Sequence, residues 1–145
     1  MKIRLAKINN VEEISELNEK YFHEEGRDYK KYVKDNNYRM VVATENKRVI
    51  GFTGFKLQKW NRSAEIIDIF VHPNFRKQGV GTKLIKKLIK LAKKAKMRVL
   101  IAEAPSKNPV FYLYKKCGFR KCGYNDRYYD NRGKEKAIFM SFDLK

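Results

Sequence analysis

The chain has 145 residues, 43% of them hydrophobic, enough for one substantial core and few for two domains. Its 34 Lys and Arg against 16 Asp and Glu give a formal net charge of +18, a composition that draws polyanions to the surface. No run of eighteen apolar residues occurs, and Met1-Lys2-Ile3-Arg4 leads straight into a strand-like pattern, so the expectation is a soluble, cytoplasmic protein without membrane contact.

Residues 3–8 alternate as a strand, and Asn9 or Asn10 can cap a helix running to about Tyr21, with Glu12 and Glu13 in its first turn where the helix dipole favours acids. Residues 22–37 form the least regular stretch, polar, charged and aromatic, with Glu24, Glu25 and Asp28 among them. Residues 40–44 and 49–57 are predicted strands joined by a hairpin turn at Glu45-Asn46-Lys47, and Gly51 and Gly54 in the second point to a bulge or a close backbone approach. A strand over 64–71 comes next.

After Val71 the turn His72-Pro73-Asn74-Phe75 leads into Arg76-Lys77-Gln78-Gly79-Val80-Gly81-Thr82, which opens a long amphipathic helix. Two glycines at a helix start let a ligand approach the backbone, while unpaired N–H groups and the positive end of the dipole point outward, with Arg76 and Lys77 beside them. The pattern is a phosphate cradle, yet it fits neither the GxxxxGK[ST] loop nor a dinucleotide fingerprint, whose third glycine would stand at Leu84. In the helix, Lys83, Lys86, Lys87, Lys90, Lys93 and Lys94 alternate with apolar residues and are expected to form a solvated face. A strand over 98–104, a short helix over 109–116, and strands over 119–124 and 137–144 complete the chain. Cys117 and Cys122 lack the paired spacing or His partners of a metal or redox site, so two reduced thiols in or near the core are expected, and no metal.

The run V-x-P-x-F-R-x-x-G-x-G, from Val71 to Gly81, resembles the pyrophosphate-binding motif of the GCN5-related N-acetyltransferases (GNAT). The segment from Asn108 to Phe119, with Tyr114 followed by Gly118-Phe119, is similar to a second block of that family, and the two blocks stand in the expected order. The resemblance implies an α/β fold: a single N-acetyltransferase domain over 1–145, with a mixed, mostly antiparallel sheet of about seven strands, a V-shaped splay and about four helices. It implies acetyl-coenzyme A as cosubstrate, its pantetheine arm paired with backbone groups of Ile69, Phe70 and Val71 and its pyrophosphate on Arg76, Lys77, Gln78, Gly79, Val80, Gly81 and Thr82. Asn108 would hydrogen-bond the arm or cap the short helix.

Acetyl transfer to an amine needs a base for the ammonium, a donor for the thioester oxyanion and an acid for the departing thiolate. Glu103, at the end of a strand flanking the splay, is the first candidate base, with Asp68, Glu65 and His72 in reserve. A backbone N–H of Phe70 or Val71 suits the oxyanion. The resemblance makes Tyr114 the acid, but Asn108 to Tyr114 is one residue shorter than the commonest spacing, which leaves Tyr112 open. Attack by Cys117 is the rival route, disfavoured because no His stands near it in sequence. Arg127-Tyr128-Tyr129 resembles the tail of the family's N-terminal protein acetyltransferases, where a Tyr pair helps to hold a peptide end, so the acceptor is a peptide N-terminus or a small cationic amine. The latter would suit Glu24, Glu25 and Asp28. The alternative from another class is a basic, Tyr-rich module that binds RNA or DNA without activity; no RNP, zinc-finger or helix-turn-helix motif occurs, so nucleic acid is not the expected partner, and the protein is expected to be a monomer or homodimer.

Overall fold

Period-two alternation yields seven strands: β1 (Lys2–Leu5), β2 (Tyr38–Glu45), β3 (Arg48–Gln58), β4 (Ser63–Val71), β5 (Val99–Pro105), β6 (Arg120–Asn125) and β7 (Ala137–Asp143). Four α-helices accompany them: α1 (Val11–Leu17), α2 (Tyr29–Lys34), α3 (Val80–Lys94) and α4 (Val110–Lys116). The computed structural model describes residues 1–144, and its sheet has the order β1-β2-β3-β4-β5-β7-β6. Every neighbouring pair is antiparallel except β4–β5. This is the mixed, mostly antiparallel sheet expected from the sequence.

The two faces bury separate sets of side chains. On one, Val80, Leu84, Ile85, Leu88 and Ala92 of α3 pack with Val41, Phe55, Ile66, Leu100 and Met140. On the other, Ile14 and Tyr29 from α1 and α2 meet Val42, Phe52 and Phe70. The lysines of α3 lie on the side away from its buried residues, as the periodicity requires.

Strand β4 changes face partway along. Its register with β3 passes from Gly54 opposite Asp68 to Phe55 opposite Ile66, so Ile67 is an extra, bulged residue. A bulge bends its strand and resets the alternation; Ile66 accordingly joins the α3 face, while Phe70 joins the α1/α2 face. The close approach expected at the β3 glycines is real. A Cβ on Gly51 would lie 2.8 Å from the Phe70 carbonyl oxygen, and one on Gly54 2.8 Å from that of Arg39.

Three boundaries differ from the sequence reading. β1 ends at Leu5, because Ile8–Asn10 form a 3₁₀ turn in which the Asn10 side-chain oxygen accepts the Lys7 N–H at 2.8 Å instead of capping α1. α1 stops at Leu17 and continues as a π-helical turn over Asn18–Phe22, which ends at His23 with φ 59°. The stretch read as irregular contains α2, capped by Asp28, whose carboxylate accepts the Lys31 N–H at 3.1 Å. A six-residue helix is too short to leave a clear periodic signature. The β2–β3 turn is as expected, with Asn46 and Lys47 both left-handed.

Candidate active site

β4 and β5 pair over only three residues, Ser63, Ala64 and Glu65 opposite Val99, Leu100 and Ile101. Beyond them, Ile66–Val71 pair with β3 alone, and Ala102–Pro105 with β7 alone. The facing edges of β4 and β5 therefore carry backbone groups that no strand pairs, in a gap that opens beyond Glu65 and Ile101. Ile69, Phe70 and Val71 line one edge and Glu103 stands on the other.

At the mouth of the gap the chain makes the turn into α3. Lys77 (φ 62°) and Gly79 (φ 83°) are both left-handed, and the first bond closing α3 runs from Lys83 N–H to Gly79 O at 3.1 Å. The N–H groups from Val80 to Thr82 thus precede any intrahelical bond and sit at the positive end of a fifteen-residue helix. Arg76 is not simply free to meet a phosphate. Its Nε donates to the Val71 carbonyl at 2.8 Å and its guanidinium lies 5.8 Å from the Phe70 ring, which leaves its terminal nitrogens for a ligand.

The two glycines of the turn do different work. A Cβ on Gly79 would meet no atom within 4 Å, so only the left-handed backbone demands glycine there. A Cβ on Gly81 would come 3.0 Å from Leu113 Cδ2, so Gly81 lets α4 approach α3. A bulky residue at Gly81 would therefore disturb packing as well as the turn, and Gly79→Val is the cleaner test. It is expected to weaken coenzyme A binding at least tenfold by calorimetric titration. The left-handed strain, about 1–2 kcal/mol, should lower Tm by only a few degrees. Unchanged affinity would remove the turn from cofactor binding.

Tyr114 stands on α4 and belongs to the core on the α3 face of the sheet. It is 3% exposed, its ring packs 5.3 Å from that of Phe119, and among the described residues no protein group pairs with its hydroxyl. Burial pushes its phenol well above the ordinary range, and the charges of Glu103 and then Asp68 push it further. Tyr112, the alternative, is 70% exposed on the outer side of the same helix. Asn108 stands just before that helix, whose cap residue is Pro109, and its side-chain oxygen accepts the Val110 N–H at 2.9 Å. Cys117 is half-buried, with its thiol pushed up by burial, the wrong direction for a nucleophile. Cys122 is not in the core: it lies exposed on edge strand β6, 3.3 Å from the Ser141 hydroxyl.

Glu103 accepts a hydrogen bond from the Tyr129 hydroxyl. Burial first, then this bond and the Glu103 charge, raise the Tyr129 phenol, and the Glu103 charge is the leading cause of a rise at Tyr128. Glu65 and Glu103 alternate with Ala64, Ile66, Ala102 and Ala104 of the α3-side core, so both carboxylates lie on the opposite side of the sheet. The other reserve bases are occupied. Asp68 is 3% exposed and ion-paired with Arg27, whose Nε donates to both carboxylate oxygens at 3.0 and 3.1 Å, while the Tyr29 hydroxyl donates to Oδ2 at 2.9 Å. A carboxylate held this way is a strut between β4 and the segment before α2. His72 Nδ1 accepts the Asn74 N–H at 3.0 Å and its ring is edge-on to Tyr21 at 4.9 Å, so it serves the turn. Glu24 lies 3.4 Å from Arg27, and Asp28 is the α2 cap; neither is an idle anion.

Residues 5–119 match the acetyltransferase (GNAT) family. The chain belongs to that family. A [ribosomal protein bS18]-alanine N-acetyltransferase of Haemophilus influenzae is 30% identical over 72% of this chain and 71% of its own length. Streptothricin acetyltransferase of Streptomyces lavendulae is 30% identical over 63% of this chain, which spans 50% of that relative. A Bacillus anthracis protein provisionally assigned as a streptothricin acetyltransferase, crystallised with acetyl coenzyme A, superposes with a TM-score of 0.77 at 31% identity, over 86% of this chain and 72% of that one.

For a GNAT chain the motif-bearing residues were readable in sequence, but their supports were not. Arg27 lies 41 residues from Asp68, and Tyr129 lies 26 from Glu103. No local pattern reports pairs so distant; an acid and a base in polar runs are the usual solvated residues.

Proposed function

We propose that this protein is an N-acetyltransferase that moves an acetyl group from acetyl-coenzyme A to a primary amine, by direct attack in a ternary complex, and that the amine is a peptide N-terminus. The observation that carries the reading is the junction of the unpaired β4–β5 gap with the α3 turn: it offers an extended arm two strand edges, and its pyrophosphate a helix start, in one line. In the reaction the amine nitrogen attacks the thioester carbonyl, forming a C–N bond while the C–S bond breaks. Glu103 takes the ammonium proton, a backbone N–H of Phe70 or Val71 holds the oxyanion, Tyr114 gives its proton to the leaving thiolate, and the second proton that the nitrogen sheds on becoming an amide returns to Tyr114 through solvent.

The peptide end is supported by the exposed loop between β6 and β7, where Tyr128 and Tyr129 stand edge to face at 5.2 Å with Glu103 at their base. A carboxylate ringed by aromatic faces suits one ammonium on an extended chain. A small polycation would need several open carboxylates, and of Glu24, Glu25 and Asp28 only Glu25 is left without a partner among the described residues. The relative that acetylates a ribosomal protein alanine agrees with this choice.

Acetyl-coenzyme A at about 100 times its Kd should stabilise the fold by about 2.7 kcal/mol, a Tm rise of roughly 5–15 °C. Thiol release should then be faster with peptides bearing a free α-amine than with the same peptides blocked, or with polyamines and aminoglycosides. Stabilisation with release on small amines alone would move the acceptor, and neither stabilisation nor release would overturn the enzyme reading.

A further inference from the structure

At the end of the sheet opposite the α3 turn, the β3–β4 hairpin carries Trp60, the sole tryptophan of the chain, 86% exposed. An indole has 150–250 Å² of largely apolar surface, and leaving nearly all of it in water gives the fold nothing. Beside it runs an open groove of about 620 Å³, lined by Lys31, Lys56, Lys59, Tyr38 and Asp35 among others. Asp35 is the one carboxylate among the described lining residues, and its side chain accepts the Asn37 N–H at 2.8 Å. The same hairpin is flanked by Arg62, bonded to the Lys96 carbonyl at 2.9 Å, and by Arg98, bonded to the Asn61 carbonyl at 2.6 Å. The floor is rigid, with Tyr38 stacked on Tyr32 at 4.6 Å.

We propose that this groove binds single-stranded nucleic acid, with Trp60 stacking on a base and Lys31, Lys56 and Lys59 on the flanking phosphates. An acidic peptide would satisfy the lysines but would leave the indole without a flat partner, whereas an unpaired base has a π-face to lay on it and a backbone charge on either side. No motif marks the site, because its lysines come from α2, from β3 and from the hairpin. It stands roughly 25–30 Å from the cofactor turn, since β4, with nine residues at about 3.3 Å each, separates them. The +18 charge supplies the long-range attraction.

The sole tryptophan reports its own occupancy. Titrating the whole protein with a short oligouridylate, and in parallel with oligothymidylate, is expected to quench Trp60 fluorescence. Three phosphate contacts predict a slope of log K on log salt of about −2. Lys56→Gln with Lys59→Gln should weaken binding about tenfold and reduce that slope by about 1.4. Trp60→Ala, followed by anisotropy of labelled strand, should weaken it about five- to fiftyfold. All three side chains are exposed, so Tm and acetyl-coenzyme A binding should not change. Lys2→Gln with Lys47→Gln removes the same charge from the other end of the sheet and should cost less than threefold. Equal loss in that control, an unquenched Trp60, or tighter binding of polyglutamate than of either strand would each overturn the proposal.

Discussion

Glu103→Gln is expected to lower kcat by roughly 10²- to 10⁴-fold near neutral pH while leaving acetyl-coenzyme A affinity nearly unchanged. The carboxylate sits on the β5 edge of the gap, beyond the last β4–β5 pair, with Tyr129 holding one oxygen. Glutamine keeps the shape and the Tyr129 contact but cannot take a proton, so the loss should shrink as solution pH deprotonates the amine. Where it shrinks identifies the acceptor: a peptide α-amine titrates at about 7.7–8.0 and an alkylamine at about 10.4, so recovery by pH 9 favours the peptide end. A loss under threefold would shift the role to Glu65 or a water chain, since Asp68 and His72 are committed to Arg27 and Asn74.

The readable and unreadable parts of the molecule divide by the range of the forces involved. Local steric rules fixed β2, β3, β4 and α3, whose periodicities are long and whose glycines have single uses. Short pieces escaped: α2 has six residues, and the π turn after α1 continues the same apolar face, so no sequence pattern separates it from helix. In the site, the turn from Val71 to Gly81 and the start of α3 were legible, because a turn into a helix is a local object. The bulge at Ile67, by contrast, is set by how β3 pairs, and the contacts of Asp68 and Glu103 are set by chain segments dozens of residues away. Gly81 shows the limit most clearly. Sequence marks it as a glycine near a ligand, and only the packing shows Leu113 against it.

Tyr114→Phe should lower kcat by roughly 10²-fold or more with Tm and acetyl-coenzyme A affinity held. The usual cost of this substitution, about 1 kcal/mol for a lost hydrogen bond, should be largely missing, because the hydroxyl has no protein partner to lose and the ring keeps its contact with Phe119. A purely structural tyrosine would leave turnover intact as well as Tm, so kcat alone separates the two roles. The pH profile adds a separate mark. Burial and the Glu103 charge raise the Tyr114 phenol, so it stays protonated beyond pH 10, and wild-type kcat should show no falling basic limb from this group between pH 8 and 10. A phenol at its ordinary value of about 10 would begin to lose its proton there and the rate with it. Tyr112→Phe, with its ring 70% exposed, is the control for the shortened spacing and should behave as wild type. Wild-type turnover in Tyr114→Phe beside a defect in Tyr112→Phe would reverse the two tyrosines and place the leaving sulfur outside the gap.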